Sequence, residues 1–139
     1  MRKSTISSPD ATEVRLLLDT ATLICAADFA ERLSKRASVD LRDPDNILEV
    51  SAISLAEIAI KAAVGKLAFS EATVRQALHE LDVRVLPYTA EHALQLFSLP
   101  LHHRDPFDRQ IIAQALSEEI PIITPDEKFR MYKGLKIIW

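Results

Sequence analysis

Short apolar blocks, each too brief for a helix, alternate along this chain with longer stretches whose apolar residues recur at helical spacing. Blocks at Val14–Leu18, Ile47–Ile53, Val83–Leu86, Pro121–Thr124 and Lys136–Ile138 read as strands buried on both faces. Between them, Ile58, Lys61, Ala62 and Gly65 mark one helix, and Ile111, Ile112, Ala115 and Leu116 form the inner face of another. The segments Glu71 to Leu81 and Ala90 to Leu96 read as two more. Strands that alternate with helices imply right-handed crossovers, hence an α/β fold with a mostly parallel sheet of about five strands, covered on both sides. The stretch Ser34 to Asn46 is charged and carries the turn signal Asp43-Pro44-Asp45-Asn46, so it reads as a surface loop.

Four carboxylates fall where a strand hands over to a helix. Asp19 follows Val14-Arg15-Leu16-Leu17-Leu18, and Glu57 follows the run ending Val50-Ser51-Ala52-Ile53. Asp108 lies in His103-Arg104-Asp105-Pro106-Phe107-Asp108-Arg109, and Asp126 closes Ile122-Ile123-Thr124-Pro125-Asp126. In an open parallel sheet these seams converge on one edge, where ligands bind. Acids gathered there repel one another, by about 4 kcal/mol for a pair at about 4 Å and an effective dielectric of 20. A hard divalent cation with oxygen ligands removes that repulsion and brings catalytic chemistry with it.

Helix capping is the competing explanation for each acid. Ser54-Leu55-Ala56-Glu57 fits a capping box with Ser54 as N-cap and Glu57 at N3. Asp105-Pro106-Phe107-Asp108 fits an N-cap aspartate with proline at N1, and Thr124-Pro125-Asp126-Glu127 fits the same scheme. Two features favour a cluster. Asp108 shares a helix face with Ile111 and Ile112 and so points inward. Asp19, behind three leucines, has no evident capping box and is left unexplained by capping.

Other chemistries find less support. With Gly65 and Gly134 as the only glycines, no phosphate-cradling loop exists, which argues against the usual nucleotide sites. No serine sits in a glycine elbow, so a serine hydrolase is disfavoured. His102 and His103 are adjacent and point apart, and they read as loop histidines. Phe129, Tyr132 and Trp139 read as packing residues. Lys61, Lys66, Arg104 and Arg109 are equally readable as phosphate contacts or as a solvated charged face.

A chain of 139 residues that is 48% hydrophobic and 27% charged has enough apolar content to bury a core. Its net charge of −3 provides no general attraction to nucleic acid or anionic lipid, so any polynucleotide binding needs a local basic patch or a bound metal. Cys25 is the only cysteine, which excludes a disulfide framework and a thiolate zinc site and suits a reducing cytoplasm. Leu16 to Ala27 and Ile47 to Val64 are interrupted by charges and cannot span a bilayer. Residues 1–13 are polar, with no apolar block after Arg2 and Lys3, and read as a flexible extension before one domain over 14–139.

Taken in order, several of these motifs resemble the PIN-domain nucleases. They are Leu16-Leu17-Leu18-Asp19-Thr20, Ser51 through Lys61, Gly65-Lys66-Leu67, and Thr124-Pro125-Asp126. The run Leu99-Pro100-Leu101-His102-His103-Arg104-Asp105-Pro106-Phe107-Asp108-Arg109 is similar to the signature of their VapC-like toxin branch. So are Ile112-Ala113-Gln114-Ala115 and the closing Ile137-Ile138-Trp139. The likeness runs from about Leu16 to Trp139. It implies a three-layer α/β/α sandwich and Mg²⁺ or Mn²⁺ held by Asp19, Glu57, Asp108 and Asp126, with Asp105 as cap first and outer contributor second.

The same resemblance implies a ribonuclease toxin that cleaves RNA, often tRNA or rRNA, forms a homodimer and is held inactive by a cognate antitoxin. Thr20 and Thr124 then support the ligands, while Arg104 and Arg109 contact the RNA backbone. The chain departs from the branch pattern at Ala21, where histidine is usual, at Ala56, where an aromatic is common, and at Pro125, where arginine is frequent. Two alternatives stay open at this level. One is another Mg-dependent phosphoryl hydrolase, although the Asp-x-Asp pair common to such enzymes is missing; the other is a non-catalytic PIN-like binding module.

Overall fold

The computed structural model describes residues 14–139, so the expectation of a flexible segment over 1–13 lies outside the described residues. Five strands form one sheet in the order β3-β2-β1-β4-β5. These are β1 (Val14–Leu18), β2 (Asn46–Ser51), β3 (Val83–Leu86), β4 (Ile122–Ile123) and β5 (Ile137–Ile138). Every neighbouring pair is parallel. The doubly buried blocks predict this arrangement, because a parallel sheet needs a crossover over one face or the other between successive strands.

Among the described residues, six α-helices supply the crossovers between β1 and β4: α1 (Thr20–Asp28), α2 (Lys35–Arg42), α3 (Ala52–Ala63), α4 (Glu71–Glu80), α5 (Ala90–Leu94) and α6 (Pro106–Glu118). A 3₁₀ turn (Glu127–Met131) joins β4 to β5. Alternation within the strands divides the core between the two faces. Leu16, Leu18, Leu48, Val50 and Ile123 pack with Leu23 of α1, Ala37 and Leu41 of α2 and Ile58 of α3. Leu17 and Ile122 pack on the other face with Ile111, Ile112 and Ala115 of α6 and with Phe129. The result is the expected α/β/α layering. Among the described residues, no helix is long and apolar enough to cross a membrane.

Two local expectations need correction. The charged stretch 34–46 keeps its expected turn at Asp43-Pro44-Asp45, but what precedes it is no loop: Ser34 caps α2 through a bond from the Ala37 amide, and the helix buries Ala37 and Leu41. Its mean polarity hid a narrow apolar stripe two residues wide. At the second site the strand ends earlier than the apolar run, at Ser51, whose hydroxyl accepts from the Ile53 amide and caps α3. Ser54 is therefore inside the helix, buried, and the Ser54–Glu57 capping box does not form.

A polar network lies between the sheet and the α5–α6 layer, away from the acids described below. Arg15 bonds Glu49 at 2.7 and 3.1 Å and reaches Glu118 at 3.2 Å. His92 meets the other oxygen of Glu118 at 3.0 Å, and its Nδ1 takes the Thr89 amide in the capping box of α5. Glu49 is a carboxylate inside the sheet layer and stays there because a guanidinium matches it with two bonds.

The relocated cap makes a discriminating test. Ser51→Ala leaves the half-buried Ile53 amide without its partner and should cost about 0.5–2 kcal/mol of unfolding free energy in urea titrations. Ser54→Ala leaves that cap intact and instead strands the buried Thr20 hydroxyl, which donates to Ser54 at 2.8 Å. Its cost should therefore largely vanish in a Thr20→Val background, while the Ser51→Ala cost persists.

Candidate active site

The carboxyl ends of β1 and β4 deliver Asp19 and Asp126. Glu57 is carried by α3, and Asp105 and Asp108 by the start of α6, which follows a loop and not a strand as expected. Asp19 directly follows β1, is 3% exposed, and is the N-cap of α1. Its Oδ1 accepts from the Thr22 amide at 2.8 Å, and its Oδ2 accepts from the Thr124 hydroxyl. Capping thus accounts for one of its oxygens, contrary to the expectation that Asp19 has no cap role. Burial pushes the Asp19 carboxyl up to about 6, against the opposing bonds from Thr124 and Thr22.

Glu57 lies in the second turn of α3 and is buried, with Oε2 receiving Lys61 Nζ at 2.6 Å. Its Oε1 is buried and has no hydrogen-bond partner. Asp105 caps α6 by accepting the Phe107 and Asp108 amides, each at 2.9 Å, with Pro106 at the first helical position as expected. That cap fixes Asp108 in the first turn, half-buried beside the other acids. Desolvation raises Asp108 to about 7; the charge of Asp105 adds to this, His103 opposes it, and Asp19 and Glu57 raise it further.

Asp126, rather than Thr124, caps the 3₁₀ turn Glu127–Met131, with Oδ1 taking the Lys128 amide. Thr124 instead bridges two acids. Its hydroxyl gives its proton to Asp19 and accepts the Asp126 amide at 3.0 Å. All five acids, Asp19, Glu57, Asp105, Asp108 and Asp126, line one cleft of about 330 Å³, together with Thr20, Ala21, Lys61 and Lys66.

The remaining sequence candidates are placed as follows. Thr20 donates its hydroxyl to Ser54 at 2.8 Å, which couples the starts of α1 and α3. Arg104 is exposed. Arg109 spends its guanidinium on the carbonyls of Leu99, Pro100 and His103 and on the Tyr132 hydroxyl, so it braces the loop before α6.

Sequence reasoning missed His103, which is buried with Nε2 2.9 Å from Asp108 Oδ2 and 3.2 Å from Asp126 Oδ2. No spacing rule flags a loop histidine ahead of an Asp-Pro cap. His102, by contrast, turns away and is exposed, edge-on to Tyr132 at 5.1 Å.

The family described as PIN domain matches residues 16–135 of this chain. The chain belongs to the PIN domain family. Structural relatives agree in fold. The PIN domain here is similar to a chain of VapBC2 from Rickettsia felis bound to a DNA fragment from their promoter, with a TM-score of 0.67 at 15% identity, covering 89% of this chain and 97% of that one. VapBC-1 from nontypeable Haemophilus influenzae gives 0.59 at 24% identity, over 89% and 96%. VapBC-5 from Mycobacterium tuberculosis, of the VapBC family of toxin-antitoxin systems, gives 0.56 at 22% identity, over 89% and 97%. No curated protein matches the chain.

The donor set of this PIN domain fits a divalent cation. The cleft offers carboxylate oxygens from several elements, and one of them, Glu57 Oε1, is buried with no proton donor. An unsatisfied buried carboxylate oxygen is costly, and a cation is the partner that satisfies it without a clash.

Without a cation, the raised pKa values carry a stability consequence. The folded PIN domain holds the Asp19 and Asp108 protons more tightly than the unfolded chain does, so both acids are harmless when protonated. Stability is then lost as pH rises from about 4 through their folded values of about 6 and about 7. For Asp19 the loss is at most about 3 kcal/mol. In chelator, Asp108→Asn should gain melting temperature relative to the parent chain as pH is raised from about 5 to about 8. A difference that stays flat or shrinks across that range contradicts the assigned crowding.

Proposed function

We propose that this chain is a metal-dependent endoribonuclease and the toxin of a toxin–antitoxin pair. The observation that carries the reading is one cleft holding Asp19, Glu57, Asp105, Asp108 and Asp126, in which a buried Glu57 oxygen has no partner. PIN domains are in general nucleases, which supports a hydrolase, and the fold likeness to VapBC chains supports the toxin branch.

Asp19, Glu57, Asp108 and Asp126 are the residues that hold Mg²⁺ or Mn²⁺. The ion supplies a water of lowered pKa and neutralises charge on the phosphate. Thr124 keeps Asp19 and Asp126 in fixed relation through one hydroxyl. Asp105 holds Asp108 at the start of α6 and adds negative charge nearby. Lys61 and Lys66 line the same cleft and offer the local positive charge that an acidic chain needs to bind a polynucleotide. Arg104 stands exposed on the approach loop, free to meet RNA backbone, whereas Arg109 serves that loop's shape. The substrate class is RNA, with structured tRNA or rRNA the first to test, in the cytoplasm.

Two partners belong to this reading. A cognate antitoxin is favoured by an apolar groove of about 760 Å³ between α3 and α4, lined by Leu55, Ala62, Phe69, Val74 and Leu78. Ile58 lines both this groove and the acid cleft, so a segment seated in one can reach the other. The second partner is another copy of the chain, as a homodimer.

Purified protein should cleave RNA in Mg²⁺ or Mn²⁺ and lose that activity in excess chelator. Asp19→Asn should lower kcat by about 100-fold or more, with circular dichroism unchanged. Full activity in chelator, or hydrolysis of small phosphate esters with no action on RNA, sinks the proposal. Mn²⁺ at about 100 times its Kd should stabilise the chain by about 2.7 kcal/mol, read as a rise of several degrees in Tm, and Glu57→Gln should blunt the rise.

A further inference from the structure

His103 is held on every side. Its backbone N–H donates to the Tyr132 hydroxyl at 2.8 Å, and its carbonyl accepts from Arg109 at 3.3 Å. Its ring stands edge-on to Phe129, with centroids 5.7 Å apart and planes at 74°. Nδ1 accepts the Asp105 N–H at 3.3 Å, while Nε2 faces the carboxylates of Asp108 and Asp126. The side chain is buried.

The Nδ1 contact decides the tautomer. A backbone N–H only donates, so the lone pair is on Nδ1 and the ring proton is on Nε2. That proton lies between two carboxylates from distant parts of the chain, Asp108 in α6 and Asp126 after the two-residue strand β4. It donates to Asp126 Oδ2 at 3.2 Å and lies against Asp108 Oδ2 at 2.9 Å. Asp126 needs such a fixture: it is set on a short 3₁₀ turn, and Asp108 repels it.

We propose that His103 is a positioning residue of the acid centre, an N–H donor that holds Asp108 and Asp126 together for the ion, and not a ligand of that ion. The inference rests on the nuclease reading above and adds a residue to it. Ligation through Nε2 needs the proton moved to Nδ1, where it meets the Asp105 N–H head-on beside the α6 cap. With His103 as donor the centre keeps oxygen ligands only. That choice suits the hard ions Mg²⁺ and Mn²⁺ and withholds the imidazole that favours zinc.

Partners that hydrogen-bond a metal's ligands typically set affinity by about 10- to 100-fold. His103→Leu should therefore weaken Mn²⁺ binding, followed by electron paramagnetic resonance titration, about 10-fold or more. Zn²⁺ binding, by calorimetry, should weaken by about the same factor. His103→Gln keeps an N–H donor at similar reach and should stay within about 3-fold of the parent. Electron spin-echo modulation of the Mn²⁺-loaded parent chain should show no directly bound nitrogen.

A bound-nitrogen signal overturns the inference. So does unchanged Mn²⁺ affinity in His103→Leu, or an equal loss in His103→Gln. If the leucine variant fails to fold, the glutamine variant and the spin-echo spectrum decide between these outcomes. Failure of the parent chain to bind Mn²⁺ at all overturns the nuclease reading, and this inference with it.

Discussion

Five carboxylates around one cleft cost electrostatic free energy, and much of the structure near the carboxyl edge offsets that cost. Lys61 is placed one turn after Glu57 and contacts it at 2.6 Å. The helix N-termini of α1 and α6 face Asp19 and Asp105, whose oxygens accept amide protons there. Thr124 and His103 contribute one proton each. These devices satisfy most of the acid oxygens, yet Glu57 Oε1 stays without a donor and the Asp19 and Asp108 carboxyls stay raised. That residual charge is what a cation in the cleft would offset.

The strand blocks were legible because parallel strands buried on both faces leave little room for polar residues. All five strands and the sheet they form follow from that pattern. Asp19 was legible for a related reason, since a carboxylate directly after an apolar strand block falls at the strand's end, whereas Glu57 and Asp108 prove to lie within the first two turns of helices. Three details resisted. Helix α2 carries just Ala37 and Leu41 inward, too thin a stripe to stand out from its charges. The α3 cap was assigned one turn late because Ser51 and Ser54 both suit the role and the apolar run continues past the true boundary. His103 depends on Tyr132, Phe129 and Asp126, residues 23 to 29 positions away, and no local rule connects them.

The departures from the VapC-like pattern have places in the fold. Ala21 is exposed and lines the cleft, so a methyl group stands where the branch usually puts an imidazole. Ala56 and Pro125 are also exposed. None of the three side chains donates or accepts in the hydrogen bonds that hold the acids, although Ala21 and Pro125 stand inside the short turns Asp19–Thr22 and Thr124–Asp126 that those bonds close. Capping and metal holding, set against each other at the level of sequence, are compatible, since a carboxylate has two oxygens and the caps of Asp19, Asp105 and Asp126 each use only one.

The short edge of the sheet has a bearing on dynamics. Strands β4 and β5 are two residues long each, and the Thr124 amide is held by the carbonyl of Ile138 at 3.1 Å. A ladder that brief is among the first places where a fold breathes. Thr124 also carries the hydroxyl between Asp19 and Asp126, so one side chain ties the pairing of β4 with β5 to the spacing of two acids in the cleft.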